Sequence, residues 1–427
     1  MIDEACASSR ELVVPAGVVV CRRPLLVGSG LRMRLSAGAV LVKRFSNEGG
    51  TRGSLVRNRD FRHKIYDVEI TGPGTLRAHD HHSRGNILGI WGDRVTLSGW
   101  SVDCFAGGRA VLIAGDHWRV SGLTISGSPS ESGNGGIRVL GGHDNVVSRC
   151  DVTAGDDAFQ FVPAASPVDP VFDQSISNSS FVNCRGASTN ARLMIAALIR
   201  PGHHSVQPVL TASITDCTFA NIRGTTSDVG ALSVLNSSSA GAISGLLVRD
   251  CDVQVVPSGS QAALAGSVYL SSRSLGGITG ATLRRVGVRN QPQAAVVVNG
   301  HVSETRLIRC NFGRDVAGRH PVAILGGRGT RSLGTRFDGA GATRPVVEVR
   351  RLGGTVSPED VALRVGTAVT GIGTGSCGVM LGASARTRVV GTTFDGDPAS
   401  PSVQITRNAR HPVLRANSLS GPVVYDS

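Results

Sequence analysis

Ile87-Leu88-Gly89-Ile90-Trp91, Ala110-Val111-Leu112-Ile113-Ala114, Gly136-Ile137-Arg138-Val139-Leu140, Ala158-Phe159-Gln160-Phe161-Val162 and Arg192-Leu193-Met194-Ile195-Ala196 are five short runs that can be laid over one another. The first three are each followed by a turn and a second short strand, Val95-Thr96-Leu97, Trp118-Arg119-Val120 and Val146-Val147-Ser148. A third piece then appears, as in Ser101-Val102-Asp103 or Thr124-Ile125-Ser126. The block returns every 22 to 34 residues, with loops of variable length between copies. It persists through Ala231–Leu235, Ala295–Val298 and Val403–Ile405, and Val268-Tyr269-Leu270 belongs to it without a fixed register. No helical period of 3.6 is sustained anywhere, and hairpin dipeptides are sparse. Three short strands per repeat without hairpins predict an all-β fold, a single-stranded right-handed parallel β-helix. A lone coil cannot bury its inward residues, so coils are stabilised by stacking. One domain is expected over residues 1–427, with a lead-in and cap over 1–60 and coils over 61–427.

Composition agrees. Of 427 residues 56 are glycine, suited to sharp turns between sheets, and only 4% are aromatic. A hydrophobic share of 41% excludes wholesale disorder. No apolar run approaches the roughly 20 residues of a membrane span, so no membrane partner is expected. Leu12–Val20 contains Pro15, is soon followed by Arg22 and Arg23, and is preceded by Asp3 and Glu4, so no signal peptide is read. Formal net charge is +13, and only Lys43 and Lys64 are lysines. Arginine forks suit carboxylate, sulfate or phosphate, while GC-rich coding explains the same bias without function. The basic residues are scattered and no aromatic-rich binding motif appears, so nucleic acid is not an expected partner. Nine cysteines cannot all pair within the chain, and no CxxC occurs. Cys150, Cys184, Cys217 and Cys251 fall 34, 33 and 34 residues apart, which predicts one stacked, buried position filled by free thiols.

Stacking also predicts a site. Coils rise about 4.8 Å each, so aligned positions form columns. With Leu88, Val111, Ile137, Phe159 and Leu193 as one inward column, Arg109, Asn134, Arg138, Asp156, Asp157, Gln160 and Arg192 are brought into one patch. Adjacent carboxylates repel, which can raise the pKa of one and keep a proton available. Asp156 and Asp157 are therefore the candidate catalytic acid and base, able to protonate a glycosidic oxygen and activate water. Inversion requires their carboxyl groups to stand about 6.5–9.5 Å apart. The competing reading is that both merely cap a turn. Arg109, Asn134, Arg138, Gln160 and Arg192 are candidate substrate contacts, with Trp91 either a sugar-stacking platform or a cover for a loop. His79-Asp80-His81-His82 and His203-His204 read as solvated loops, and Asp169 and Asp173 lie in an insertion suited to a cleft wall. No metal or cofactor is expected.

The segment Ile70-Thr71-Gly72-Pro73-Gly74-Thr75-Leu76 resembles the G-x-G-T-[IL] first coil of polygalacturonase-like and phage-tailspike-like members of the pectate-lyase-type β-helix superfamily. Asn134-Gly135-Gly136-Ile137 followed by Gly155-Asp156-Asp157 resembles the polygalacturonase pair N-[TD]-D-G-I and G-D-D. The resemblance covers roughly residues 10 to 240. It implies a carbohydrate-active enzyme, a glycoside hydrolase acting on a polysaccharide, with an acidic polymer favoured by the arginines. Alternatives are a polysaccharide lyase or epimerase acting on a uronate polymer, and a non-catalytic carbohydrate-binding adhesin or virion spike. It further implies an extracellular or virion-associated protein, with homotrimers frequent among tailspike-like relatives. Three aspartates act together in polygalacturonases, but Gly135 occupies the first of those positions. No histidine stands at Ala191 or Arg192, where the family's G-H-G would fall, and no basic residue stands in Ala231–Val234, where its R-I-K would fall. Only the acid pair carries over.

Overall fold

A computed structural model describes residues 10–45, 53–78, 85–104, 108–130, 133–163, 175–198, 211–227, 230–238, 240–256, 266–290, 293–313, 321–350 and 356–426. Every regular element among them is a β-strand, and paired strands run parallel. The fold is a right-handed parallel β-helix. No helix among the described residues is long and apolar enough to cross a membrane. The chain divides into two compact units, Met1–Gly224 and Thr225–Ser427.

In the first unit, the front sheet carries Gly108–Ala114, Asn134–His143, Phe159–Phe161 and Arg192–Leu198 side by side. A second sheet stacks Arg119–Ser121, Val146–Ser148 and Ser180–Val182. A third stacks Ser101–Cys104, Thr124–Gly127, Asp151–Ala154 and Arg185–Ser188. Coils begin inside the stretch read as a lead-in: Glu11–Val14 pairs with Arg32–Leu35, and Gly17–Cys21 with Ala39–Lys43. The corners between sheets hold Arg94, Asp144, Asn178 and Asn183 at positive φ. Asn and Asp tolerate that conformation best among residues with a side chain. Inside, Phe161 lies 4.9 Å from Phe181 and 4.8 Å from Phe219, centroid to centroid, so aromatics from successive coils fill the interior. Trp100 and Trp118 are fully buried, their indole N–H groups donating to the carbonyls of Ile70 and Gly92.

Leu88, Val111, Ile137 and Phe159 share one column as expected, but the next member is Met194, not Leu193. Ala154 is opposite Ser188 while Phe159 is opposite Met194, so the later turn carries one extra residue. That residue moves Arg192 two places before the column, level with Asp157. The cysteine column also breaks. Cys150 and Cys184 occupy the same position, each one residue before the partners Asp151 and Arg185. Thr218 pairs with Ser180, so Cys217 stacks on Ser179 instead. Ile176 and Ile214 are partners across a coil of 38 residues, which leaves a spacing of 33 short of a full turn. Cys21, Cys150, Cys184, Cys217, Cys251, Cys310 and Cys377 are free and buried.

In the second unit, the front strands Gly230–Asn236, Gly266–Ser272 and Ala294–Gly300 pair in series, which fixes the register of Val268 opposite Leu232 and Val296. Ala323–Leu325, Val347–Val349, Val379–Leu381 and Val403–Ile405 continue that sheet. A second sheet runs from Leu247–Arg249 through Thr282–Arg284, Arg306–Ile308 and Arg331–Leu333 to Ala362–Leu363, Arg388–Val390 and Val413–Arg415.

Candidate active site

Arg109, Gly135, Asp157 and Arg192 stand at one level in four successive coils of the front sheet, Arg109 opposite Gly135. Asp156 and Asp157 lie in the turn immediately before Phe159–Phe161. Hydrogen bonds hold the backbone of that turn. Asp156 N–H donates to Asn134 O at 2.8 Å, Asp157 O accepts from Gly136 N–H at 3.0 Å, and Ser188 Oγ donates to Asp156 O at 2.9 Å. Gln160, only 1% exposed, donates through Nε2 to Asp157 O at 2.6 Å.

Each carboxylate has its own guanidinium. Arg109 Nη2 donates to Asp156 Oδ2 at 3.0 Å, reaching from two coils away. Arg192 meets Asp157 Oδ1 twice, through its backbone N–H at 3.0 Å and Nη1 at 3.3 Å. Gly135 makes the first of these contacts possible. A Cβ there would stand 3.2 Å from both Cγ and Nε of Arg109 and 2.8 Å from Gln160 Nε2. The arginine therefore crosses the bare backbone at the position where the polygalacturonase motif carries its first acid. Arg109 Nε is buried without a hydrogen-bond partner, and Arg109 N–H is held by Asn86 Oδ1 at 2.8 Å.

The two acids differ in environment. Asp157 is 7% exposed, and burial pushes its carboxyl above the usual aspartate range despite the opposing charge of Arg192, with the Asp156 charge adding to the rise. Asp156 keeps 19% of its side chain exposed. Arg138, one coil before Gln160, donates Nε to Val162 O at 3.2 Å and has no carboxylate partner among the described residues. Desolvation first, and then the like charge of Arg109, pull its pKa down to about 9.

The structure thus brings Arg109, Asn134, Arg138, Asp156, Asp157, Gln160 and Arg192 together, but divides their tasks. Asn134 is fully buried and Gln160 nearly so. Both brace the turn and present almost nothing to solvent. Trp91 pairs in register with Ala114, about 16 Å along the strand from the Arg109 level. It packs on Leu112, Ala114 and Leu140 of the neighbouring front strands rather than on a loop. Ser188 and Asn86 were not singled out from the sequence, since nothing in a serine or an asparagine near a turn marks it as a brace. His79–His82, Asp169, Asp173, His203 and His204 lie outside the described residues. Among the described residues no three His, Cys, Asp or Glu side chains gather as metal ligands.

No protein-family model and no characterised protein matches the chain in sequence. In structure, the chain is similar to the tailspike protein of Escherichia coli bacteriophage HK620 in complex with pentasaccharide. The TM-score is 0.50 at 11% identity, covering 99% of this chain and 75% of that one. A mutant of the same tailspike, also with pentasaccharide, gives 0.51 at 11% identity, covering 97% and 73%. The polygalacturonase from Erwinia carotovora ssp. carotovora gives 0.45 at 12% identity, covering 77% and 90%. The tailspike matches establish for this chain the same right-handed β-helix fold that the stacked runs predict.

Proposed function

We propose that the protein is a glycoside hydrolase acting on a polysaccharide, with Asp157 as the proton donor to the glycosidic oxygen and Asp156 as the carboxylate that activates water. The observation that carries this reading is the asymmetry of the acid pair. One carboxyl is buried and driven toward its protonated form, while its neighbour is more open and clamped by Arg109. Neighbouring acids whose environments push them apart divide donor and acceptor roles. Arg109 and Arg192 orient the pair, and Arg138 is the guanidinium left to meet an anionic group of the sugar. The similarity to a pentasaccharide-bound tailspike supports a saccharide ligand and an extracellular or virion-associated setting.

A second reading, a lyase or epimerase on a uronate polymer, is favoured by Arg138 alone. A guanidinium brought to about 9 is a better base than an ordinary arginine. Reducing-sugar release and enoate absorbance, measured on a panel of acidic and neutral polysaccharides, separate hydrolase from lyase, and an epimerase gives neither but changes the uronate composition. Hydrolysis gives the first without the second. Asp156→Asn and Asp157→Asn should each lower turnover by about 10²–10⁴-fold with folding nearly unchanged. Full turnover in both variants would remove the pair from the mechanism and leave the arginine reading.

A further inference from the structure

The second sheet of the second unit carries an array of arginines that the linear sequence disperses. Arg306 is opposite Arg331, Arg331 opposite Ala362, and Ala362 opposite Arg388. Two residues along, Arg284 is opposite Ile308, Ile308 opposite Leu333, and Val390 opposite Arg415. Arg364 extends this second row by the same register, its N–H donating to Ser332 O at 2.8 Å. Arg284, Arg306, Arg331, Arg364, Arg388 and Arg415 are all exposed. Among the described residues, none of the six has a carboxylate oxygen within 4.0 Å.

What sets this face apart is the alignment of its unpaired arginines. Many arginines pair across coils, as Arg32 does with Glu69, Arg34 with Glu11, Arg94 with Asp67, and Arg289 with Asp252. Exposed Arg149, Arg185 and Arg223 of the first unit have no ion pair among the described residues but form no comparable double row. Of the acids bordering the array, Glu359 is engaged by Arg328 and Arg386, and Asp360 by Arg386, while exposed Glu304 lies two residues before Arg306 without reaching it. Like charges directly opposite on a sheet are destabilising, and Arg306 beside Arg331 is such a pair. With coils about 4.8 Å apart and residues about 3.3 Å apart, the rows span about 24 Å by 7 Å. That is long and one polymer chain wide.

We propose that this face is a binding surface for a linear anionic polysaccharide, separate from the acid pair and not dependent on its chemistry. Positions between the arginines are aliphatic or small: Thr282, Ile308, Leu333, Ala362, Val390 and Val413. Such positions accept the C–H faces of sugar rings between carboxylate or sulfate groups. No aromatic stands in either row, and aromatic platforms are what single-stranded nucleic acid uses for stacking.

The test uses the full chain carrying Asp156→Asn and Asp157→Asn, so that no probe is consumed. Probes are end-labelled polygalacturonate, dextran sulfate, neutral dextran and a single-stranded DNA of matched charge. Binding of the two glycan polyanions but not neutral dextran is expected, and their ratio tells carboxylate from sulfate preference. Arg306→Ser, Arg331→Ser and Arg388→Ser together should weaken polyanion binding by about 10- to 100-fold at low salt. The slope of log K against log salt should fall by about one per arginine removed. Lysine at the same three positions should restore most of that slope. Arg32→Ser, Arg34→Ser and Arg94→Ser together remove equal charge from the first unit and should leave affinity nearly unchanged. Equal loss in both triple variants would reduce the effect to net charge and overturn the proposal. Absence of polyanion binding, or tighter binding of the DNA than of either glycan, would overturn it as well.

Discussion

Gly135→Ala is the substitution on which the account of the acid pair can be tested most directly. Gly135 is not held at positive φ, so alanine meets no backbone penalty there. The cost is entirely steric. The added methyl would stand 2.8 Å from Gln160 Nε2 and 3.2 Å from Arg109 Cγ and Nε. Gln160 is buried and spends that amide on Asp157 O at 2.6 Å, so moving it breaks a buried hydrogen bond, worth about 1–3 kcal/mol. Overpacking of a filled site falls in the same range of about 1–3 kcal/mol. The expected loss of stability is therefore about 1–3 kcal/mol, read from urea unfolding followed by circular dichroism. The same methyl pushes Arg109 off its path to Asp156, so turnover per folded molecule should fall too, on whichever polysaccharide proves to be a substrate. Gly133→Ala is the matched control, because no heavy atom lies within 4 Å of its added Cβ. It should change stability by no more than about 0.5 kcal/mol. If Gly135→Ala and Gly133→Ala behave alike in both assays, Arg109 does not run across Gly135 and the division of roles fails.

Three further outcomes are expected. An aspartate whose folded pKa lies above its unfolded value destabilises the fold as it ionises. The wild type should therefore lose stability relative to Asp157→Asn as pH rises from about 4, the unfolded value, toward the raised folded one. Urea unfolding of both proteins between about pH 4 and 7 reads this difference, and a wild type that gains stability relative to Asp157→Asn with rising pH would contradict a burial-dominated Asp157. Burial pushes the thiols of Cys217 and Cys377 up to about 12 and that of Cys310 to about 11. Alkylation at neutral pH should be slow in the native protein, while the unfolded, unreduced protein should show at least the seven free thiols described here. A result of one or two thiols would contradict the stacked, unpaired arrangement. Finally, if residues 1–427 fold as one array, limited proteolysis should not leave two stable halves meeting near residue 224, and two such fragments would refute that expectation.

The fold was legible because it is written in short-range terms. Runs such as Ala110–Ala114 and Gly136–Leu140 declare a strand by their β-branched and aliphatic content, and their recurrence declares stacking. Most inward positions followed by counting, since a coil without insertion keeps its register. Asp156 and Asp157 were also legible, as adjacent carboxylates at a turn. The sequence by itself could not decide which side chains meet across coils, because register is set by loop lengths that vary and by single extra residues in turns. One such residue between Ser188 and Met194 brings Arg192 level with Asp157, and a 38-residue coil removes Cys217 from the position of Cys184. A bare glycine lets Arg109 reach Asp156, two coils away, a pairing that counting along the chain does not show. Likewise the arginines of the second unit look scattered along the chain, and only parallel pairing at about 4.8 Å per coil gathers them into rows. Strand identity is a local property of the chain, whereas charge pairing and burial depend on which coil lies above which.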